Sequence, residues 1–224
     1  MIDKYLKVFH KFKPDIIKAL LETLDMMVTV MILTAVLGLI LGIILFSTRE
    51  KGVLSNRLIY IAFSGMVNIF RSIPFILFII AMIPINRLII GTGFGVNASK
   101  IPLSIVGIST FARFVEQDLL DVNKMMYETS YALGANKIQY FKNFLLVEAR
   151  SSLVLSFTSA SISLLSYSTV MGIIGGGGLG YLAISEGYHN FNYELMWIIV
   201  LIMILIVQFI QVLGNFISNK IDQR

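Results

Sequence analysis

The amino-acid sequence predicts an all-α integral membrane protein that crosses the bilayer five times, and two features lead to this fold class. Hydrophobic residues make up 57% of the 224 residues and charged residues only 14%, whereas about a quarter of the residues in a soluble domain are charged. The uncharged residues also cluster in long runs, and a helix needs about 20 apolar residues to cross the hydrocarbon core. Cysteine is absent, which excludes a disulfide framework and thiol chemistry.

The first two predicted spans lie in the N-terminal half of the chain. Residues 26–48 carry no charge and form the first span. Residues 58–86 carry one charge, Arg71, which is followed closely by Pro74. This second run is too long for one straight helix and too short for two. We therefore expect one span with a proline-associated bend and a tail near the far surface.

The third predicted span includes charged residues. Residues 101–112 are uncharged, but this run is too short to cross the hydrocarbon core. A span results only if it extends over residues 97–120 and includes Arg113 and Glu116. Because these two residues are three positions apart, they can pair on one helix face. We expect this pair to have a structural role near the inner boundary of the membrane.

The last two predicted spans lie in the C-terminal half. Residues 151–185 are uncharged throughout, and their first part forms the fourth span, which ends at the glycines 175-GGGGLG-180. Residues 195–219 form the fifth span, with Trp197 near one interface, where tryptophan is enriched. An N-terminal tail of residues 1–19 and a C-terminal tail of residues 218–224 flank a membrane domain of residues 20–217.

The distribution of lysine and arginine predicts the orientation, because cytoplasmic loops carry an excess of both. One side of the membrane carries ten of them: Arg49, Lys51, Arg57, Arg113, Lys124, Lys137, Lys142, Arg150, Lys220 and Arg224. The other side carries seven: Lys4, Lys7, Lys11, Lys13, Lys18, Arg87 and Lys100. We therefore expect the N-terminus outside and the C-terminus in the cytoplasm. The basic N-terminal tail conflicts with this assignment unless it lies along the membrane surface as an amphipathic helix.

The polar segment 127-YETSYALGANKIQYFKNFLLVEA-149 separates the third and fourth spans. Apolar residues recur at roughly helical spacing from Leu119 to Leu133. Gly134 then ends this helix, since glycine tolerates the left-handed backbone conformation. Asn136, with Gln139 three residues later, has the spacing of a capping box that starts a second helix. The pattern predicts two helices joined by a glycine turn.

These two helices predict a compact knob on the cytoplasmic side. The second helix has an apolar stripe of Ile138, Phe141 and Leu145. Apolar residues such as Tyr131, Ala132 and Leu133 lie near the outermost part of the knob. A helix of this kind suits docking in a groove of another protein. The same spacing is also compatible with an ordinary amphipathic connector between two spans.

The segment resembles the cytoplasmic EAA loop of bacterial ABC-importer permeases, whose pattern is Glu-Ala-Ala, three residues, Gly, nine residues, Ile-x-Leu-Pro. Four residues stand at the matching positions: Glu128, Gly134, Phe144 and Leu146. Three residues depart from the pattern: Thr129 and Ser130 in place of the two alanines, and Val147 in place of the proline. The small side chains preserve a compact surface, whereas the missing proline puts a sharp entry into the fourth span in doubt.

The resemblance extends over about residues 20–217. Within this range the sequence is similar to the methionine-uptake permeases in 67-VNIFRSIPF-75, 166-SYSTVMGIIGGGGLGYLAI-184, 187-GYHNF-191 and 196-MW-197. The resemblance implies a type I ABC-importer permease fold and a homodimer in the bacterial cytoplasmic membrane. Two ATPase subunits would bind ATP and Mg, so this chain needs no cofactor of its own. An extracytoplasmic substrate-binding protein, often a lipoprotein, would deliver D- or L-methionine.

The same resemblance implies that the loop of about residues 124–147 couples the permease to the ATPase. The residues assigned to coupling are Glu128, Thr129, Ser130, Leu133, Gly134, Ala135, Ile138 and Leu146. The implied mechanism is alternating access, in which ATP binding closes the ATPase pair and hydrolysis resets it.

Arg71 lies inside the second predicted span, where a charge costs roughly 3 kcal/mol or more. It could brace the bend, because Pro74 frees a backbone carbonyl near residue 70 that an arginine can satisfy. It could instead line the translocation pathway. The sequence leaves both interpretations open.

The glycine-rich stretch 175–180 is not a nucleotide-binding loop, since no Lys-Ser or Lys-Thr follows it. These glycines end the fourth helix and permit close backbone approach or hinge motion. They form either a plain outer turn or a flexible outer gate beyond a narrow region of the pathway. The candidate gate or pathway residues are Tyr167, Ser168, Met171, Gly175, Gly176, Gly177, Gly178 and Gly180.

The sequence offers no nucleophile with a nearby base and no metal-ligand cluster, so we expect neither catalysis nor a metal site. The net charge of +5 reflects lysines and arginines that flank membrane spans near anionic lipid, and it does not require nucleic acid. The alternative to an importer subunit is a gradient-driven transporter or channel for a small polar solute. Such folds often carry inverted repeats and buried charges, and this sequence has no repeat and few such charges. A purely structural membrane scaffold would explain neither the knob nor the glycine-rich turn.

Overall fold

The computed structural model describes residues 2–123 and 125–222, and within them the chain is helical and contains no β-strand. The helices are α1 (Ile2–Thr48), α2 (Arg57–Ser72), α3 (Phe75–Ile90), α4 (Val96–Leu120), α5 (Met125–Ala132), α6 (Lys137–Ile173), α7 (Gly178–Leu182) and α8 (Tyr193–Ile221). Two π-helical turns are present, Tyr140–Leu145 within α6 and Ala183–His189 directly after α7. Lys124 and Arg224, two of the cations in the orientation prediction, lie outside the described residues.

The first helix is longer than its predicted span. α1 comprises 47 residues, which corresponds to about 70 Å at 1.5 Å per residue. This is about twice the thickness of the hydrocarbon core. The helix therefore includes the described part of the predicted N-terminal tail as well as the first span.

The second predicted span, with its proline-associated bend, consists of two helices that meet at 108° and are apolar enough together to count as one span. α2 ends at Ser72 and α3 begins at Phe75, directly after Pro74. The cause is the proline, which lacks an N–H group and disfavours helical geometry at the residue before it. Each helix has 16 residues and measures about 24 Å, which is less than the hydrocarbon core.

Length and composition identify fewer spans than the sequence predicts. Among the described residues, α1, α6 and α8 are long and apolar enough to cross a membrane, and a fourth span results if α2 and α3 are counted together. α4 contains 25 residues, enough to cross the core at about 37 Å, but it carries Arg113 and Glu116.

The chain divides into two compact units, and each long helix contributes to both. Unit 1 contains residues up to Ile32, Ile73–Ile105 and Ser161–Ile210, and unit 2 contains the rest. The core of unit 1 has two buried clusters: Met26, Met27, Val30, Ile79, Leu103, Leu164, Leu165 and Met171, and Ile16, Ala19, Leu179, Leu182, Leu195 and Ile199. The core of unit 2 is built around Phe46, Phe111, Val115, Leu119, Val122, Tyr140, Leu145, Ala149 and Ala160.

Candidate functional site

The knob (residues 125–149) begins with a short helix that sequence reasoning did not separate from its neighbour. Apolar spacing predicted a helix from Leu119 to Leu133, but this helix, α5, begins at Met125, after α4 has ended at Leu120. Asn123 explains the new start, because its side-chain Oδ1 accepts a hydrogen bond from the Met125 N–H at 3.0 Å. Side chains of this kind satisfy the free N–H groups at the start of a helix.

The turn after α5 has the predicted geometry. Gly134 has a φ of 74°, which is the left-handed conformation that glycine adopts without steric cost. The Gly134 N–H donates to the Tyr131 carbonyl at 2.9 Å, and the Ala135 N–H donates to the Ser130 carbonyl at 3.0 Å. These bonds close the end of the helix and fix the direction in which the chain leaves it.

The capping box is also confirmed. The Gln139 N–H donates to Asn136 Oδ1 at 2.9 Å, and the Asn136 N–H donates to Gln139 Oε1 at 2.8 Å. The helix that starts here continues as α6 to Ile173. Because Val147 occupies the position of the family's proline, no N–H is missing there, and the second knob helix and the fourth predicted span form one helix.

The base of the knob is anchored in the core of unit 2. The Tyr140 side chain is buried, and its ring centroid lies 5.1 Å from that of Tyr127 and 5.3 Å from that of Phe141. Burial raises the pKa of the Tyr140 phenol above its ordinary value, so this group is neutral at physiological pH. The aromatic cluster lies at the π-helical turn, which no feature of the sequence indicated.

The tip of the knob is apolar and exposed. Tyr131, Leu133 and Ile138 are 76%, 71% and 77% exposed. Exposed apolar surface of this kind marks an interaction site or a membrane contact. Within the described residues, nothing covers these three side chains. We refer to Tyr131, Leu133 and Ile138 as the tip.

The predicted coupling residues fall into exposed, half-buried and buried groups. Five lie on the surface of the knob: Glu128, Thr129, Leu133, Gly134 and Ile138. Ala135 and Leu146 are half-buried, and Ser130 is fully buried, with its hydroxyl donating to the Tyr127 carbonyl at 2.8 Å. Ser130 therefore stabilises α5 from within and does not contribute to the exposed surface.

The glycine-rich turn lies in unit 1 and is held by side chains of α1. The Gly178 N–H donates to Glu22 Oε2 at 2.8 Å, and the Leu179 N–H donates to Thr23 Oγ1 at 2.9 Å. Gly177, which precedes α7, has a φ of 78°, a conformation that strains any residue with a Cβ. The turn thus has defined geometry in this structure, and the two bonds to α1 form a clamp on the start of α7.

Several predicted pathway residues pack inside unit 1. Met171 and Ser168 are buried, and the Ser168 hydroxyl donates to the Leu165 carbonyl of its own helix at 2.7 Å. Gly180 lets two backbones meet, since a Cβ added there would lie 2.5 Å from Thr169 Cα. Tyr167 is half-buried and stacks on Phe75 with a centroid distance of 4.6 Å.

An open groove lies next to these residues and is lined by α6, α7 and α8. Its volume is about 530 Å³, and its walls are largely apolar. Ser166, Thr169 and Gln208 are polar residues along it. Sequence analysis did not single out Gln208, although an amide side chain in the middle of the apolar run 195–219 was the signal that could have identified it.

The two arginines inside predicted spans have different surroundings. Arg113 pairs with Glu116, as predicted, and also donates to Asn68 Oδ1 at 2.6 Å and Ser64 Oγ at 3.3 Å. It therefore links α4 to α2 within unit 2. Arg71 is exposed at the end of α2, and among the described residues no carbonyl accepts a hydrogen bond from it. The structure provides no support for a bracing role of Arg71.

Comparison with known protein families shows to which family this helical, apolar chain belongs. Residues 35–224 match the family of binding-protein-dependent transport system inner membrane components. The chain belongs to this family. It is a permease subunit of an ABC transporter and a multi-pass protein of the inner membrane, so the family predicted from the knob sequence is confirmed.

Relatives of the permease include two curated proteins. A probable D-methionine transport system permease protein MetI of Vibrio cholerae serotype O1 is 37% identical over 182 residues, which is 81% of each chain. The methionine import system permease protein MetP of Bacillus subtilis is 34% identical over 81% of this chain and 82% of its own.

Solved structures resemble the permease over nearly its whole length. An inward-facing MetNI methionine ABC transporter matches with a TM-score of 0.89 and 35% identity, and the match covers 93% of this chain and 96% of the other. An amino acid ABC transporter with histidines matches with a TM-score of 0.79 at 18% identity, a likeness that concerns the fold alone.

Proposed function

We propose that the permease is the membrane subunit of an ATP-driven importer that carries methionine, in its D and L forms, into the cytoplasm. The observation that carries this proposal is the match to the MetNI methionine ABC transporter at 35% identity over 93% of this chain. The curated relatives named for methionine transport support the same substrate. A thioether side chain is compatible with the largely apolar groove along α6, α7 and α8.

The proposed assembly is a homodimer of five-span subunits. In each subunit, α1, the pair α2 and α3, α4, α6 and α8 make the five spans of a membrane domain of residues 20–217. The N-terminus lies outside and the C-terminus lies in the cytoplasm, as the counts of lysine and arginine favour. The pathway runs between the two copies, as is usual where a symmetric dimer shares one axis.

The knob is the proposed contact with the ATPase. Its tip would insert into a cleft of a separate subunit, where the apolar area of Leu133 and Ile138 would be removed from water. Glu128 and Thr129 border the same surface, and Gly134 sets its shape. Two ATPase subunits would bind ATP and Mg, and their closure would move the two knobs together.

The glycine-rich turn is the proposed outer gate. In this arrangement the clamp from Glu22 and Thr23 holds α7 in one of two positions. Release of the clamp would let residues 175–178 change conformation, because glycine adopts both signs of φ readily. An extracytoplasmic binding protein would deliver substrate at this side, and Ser166, Thr169 and Gln208 would line the way inward. The exposure of Arg71 at the end of α2 favours a place in the pathway or at the dimer contact over a bracing role.

Copurification tests the proposed contact with the ATPase. Tagged permease is extracted from native membranes in mild detergent, and the proteins that elute with it are identified by mass spectrometry. We expect a stoichiometric phosphate-loop ATPase with the parent chain and its loss with L133D combined with I138D. The control is F191D, because Phe191 is 74% exposed but lies in unit 1, outside the knob.

Either of two results would contradict the proposal. One is an ATPase that remains bound to the double variant. The other is a parent chain that is recovered alone and moves substrate in vesicles without ATP, which would favour the gradient-driven alternative.

A further inference from the structure

The first half of α1 has three distinct faces. One face packs on unit 1, where Val8, Phe12 and Ile16 contact the cluster formed with Leu179 and Leu195. A second face is exposed and largely apolar, with Leu6, Ile17, Leu21 and Leu24, although Lys13 lies among them. The third is basic. At 3.6 residues per turn, Lys4, Lys7, Lys11 and Lys18 lie within roughly 60° of one another around the helix. We refer to these four residues as the basic stripe.

An ion pair places this half of α1 near the membrane boundary. Lys4 Nζ lies 2.5 Å from Glu194 Oε1 in the first turn of α8. Trp197, three residues later, is 59% exposed, and tryptophans of this kind lie at the level of the lipid headgroups. We therefore expect Lys4 at this level as well.

The same ion pair is incompatible with a first half of α1 that projects perpendicular to the bilayer. Lys4 precedes Met26, the first residue of the uncharged run, by about 33 Å of helix. An upright helix would place Lys4 that far above the hydrocarbon core, out of reach of Glu194. We therefore expect the first half of α1 to run obliquely along the boundary, with its exposed, largely apolar face available to acyl chains.

The lysines of the stripe are mostly free of protein partners. Lys7, Lys11 and Lys18 are exposed, and none of them forms an ion pair with an acidic side chain of the described chain. Lys11 Nζ lies 5.2 Å from the centroid of the Phe12 ring. Asp15 borders the stripe and Glu22 lies at its end, where its carboxylate accepts a hydrogen bond from the Gly178 N–H. These two carboxylates offset two of the positive charges. A net positive surface remains at headgroup level.

We propose that the basic stripe binds the headgroups of anionic phospholipids. Lysine side chains extend their ammonium groups to the headgroup region while their methylene stems cover apolar surface. Helices with one basic and one apolar face bind anionic membrane surfaces in this way. The proposal also accounts for four of the five lysines of the N-terminal tail, which lie on the side of the membrane that the charge distribution disfavours, because lipid compensates for them. It does not depend on the transported substrate.

A single tryptophan makes the proposal testable. Trp197 is the one tryptophan of the chain, so W197F with L21W leaves one reporter, and Leu21 is exposed one turn after Lys18. The full-length chain is reconstituted in bilayers of equal phosphatidylglycerol and phosphatidylcholine, with brominated acyl chains on one lipid or the other. Quenching of the reporter measures which lipid lies beside the stripe.

We expect phosphatidylglycerol to be enriched at the reporter by roughly fivefold, the factor that about one surface lysine supplies. K7Q combined with K11Q and K18Q should bring the ratio close to one. The same three lysines changed to arginine should keep the enrichment, because the charge is retained. K13Q should also keep it, since Lys13 lies off the stripe.

Two results would overturn the proposal. The first is equal quenching by both lipids in the parent reporter. The second is an enrichment that persists in the triple glutamine variant. If that variant also loses affinity for the extracytoplasmic binding protein, the stripe is assigned to protein docking instead.

Discussion

At the scale of single residues, glycines set the geometry of both candidate regions. Gly134 and Gly177 adopt φ values of 74° and 78°, which other residues adopt only with strain. Gly180 has a different role, since it lets α6 and α7 touch through their backbones. The sequence indicated the importance of these glycines but not the difference between a turn and a close contact, because that difference depends on which helix lies opposite.

Proline at position 134 should remove coupling and leave the chain in the membrane. Proline fixes φ near −65°, whereas the native φ is 74°, and it removes the N–H that donates to Tyr131. We expect G134P to lose the copurifying ATPase at an unchanged level of membrane protein. G91P is the matched control, because Gly91 has a φ of 85° and an N–H that donates to Arg87, but it lies outside the knob. ATP-driven uptake at the parent rate by G134P would contradict the prediction.

A larger side chain at Gly180 should separate two helices. The new Cβ would collide with Thr169 Cα, and overpacking of this kind costs about 1–3 kcal/mol. We expect G180A to lower the midpoint of thermal unfolding in detergent and G180V to lower it further. G65A is the control, since nothing lies within 4 Å of a Cβ at Gly65. Equal midpoints for G180V and G65A would show that α7 does not pack on α6 in this way.

At the scale of helices and turns, the predictable features were local in sequence. The glycine turn and the capping box were predicted because both depend on residues within a few positions of one another. The third span was predicted to end at Leu120, as α4 does, but the start of α5 at Met125 rather than Leu119 was missed, because it depends on the Asn123 side chain. The separation of α2 from α3 was underestimated, although Pro74 was noted. The extension of α1 back to Ile2 was not predicted, since its charged first half is stabilised by packing on Leu179 and Leu195, contacts that no local pattern contains.

The clamp between α1 and α7 should control the opening of the glycine-rich turn. T23V removes the oxygen that accepts the Leu179 N–H, and a buried N–H left without a partner costs about 1–3 kcal/mol. We expect faster hydrogen exchange at residues 178–182 in T23V. The matched control is T29V, because the Thr29 hydroxyl bonds only to the Asp25 carbonyl of its own helix. Unchanged exchange in T23V would mean that the clamp does not hold α7.

At the scale of the whole molecule, the membrane class and the family were predictable because both depend on properties of long segments. Mean composition and uncharged runs identify membrane helices without knowledge of their packing. The number of spans was harder to predict, because α4 carries charges whose partners lie on α2, as with Arg113 and Asn68. Gln208 could be recognised as a residue of the groove only after the structure had placed α6, α7 and α8 around it.

The most direct test of the central claim is ATP-driven uptake of methionine. The permease is reconstituted in vesicles with its copurified ATPase and the extracytoplasmic binding protein, and labelled L-methionine inside the vesicles is measured. We expect accumulation that requires ATP and Mg, that unlabelled D-methionine reduces, and that L133D combined with I138D abolishes. Accumulation that follows an ion gradient without ATP, or that persists in the double tip variant, would contradict the account.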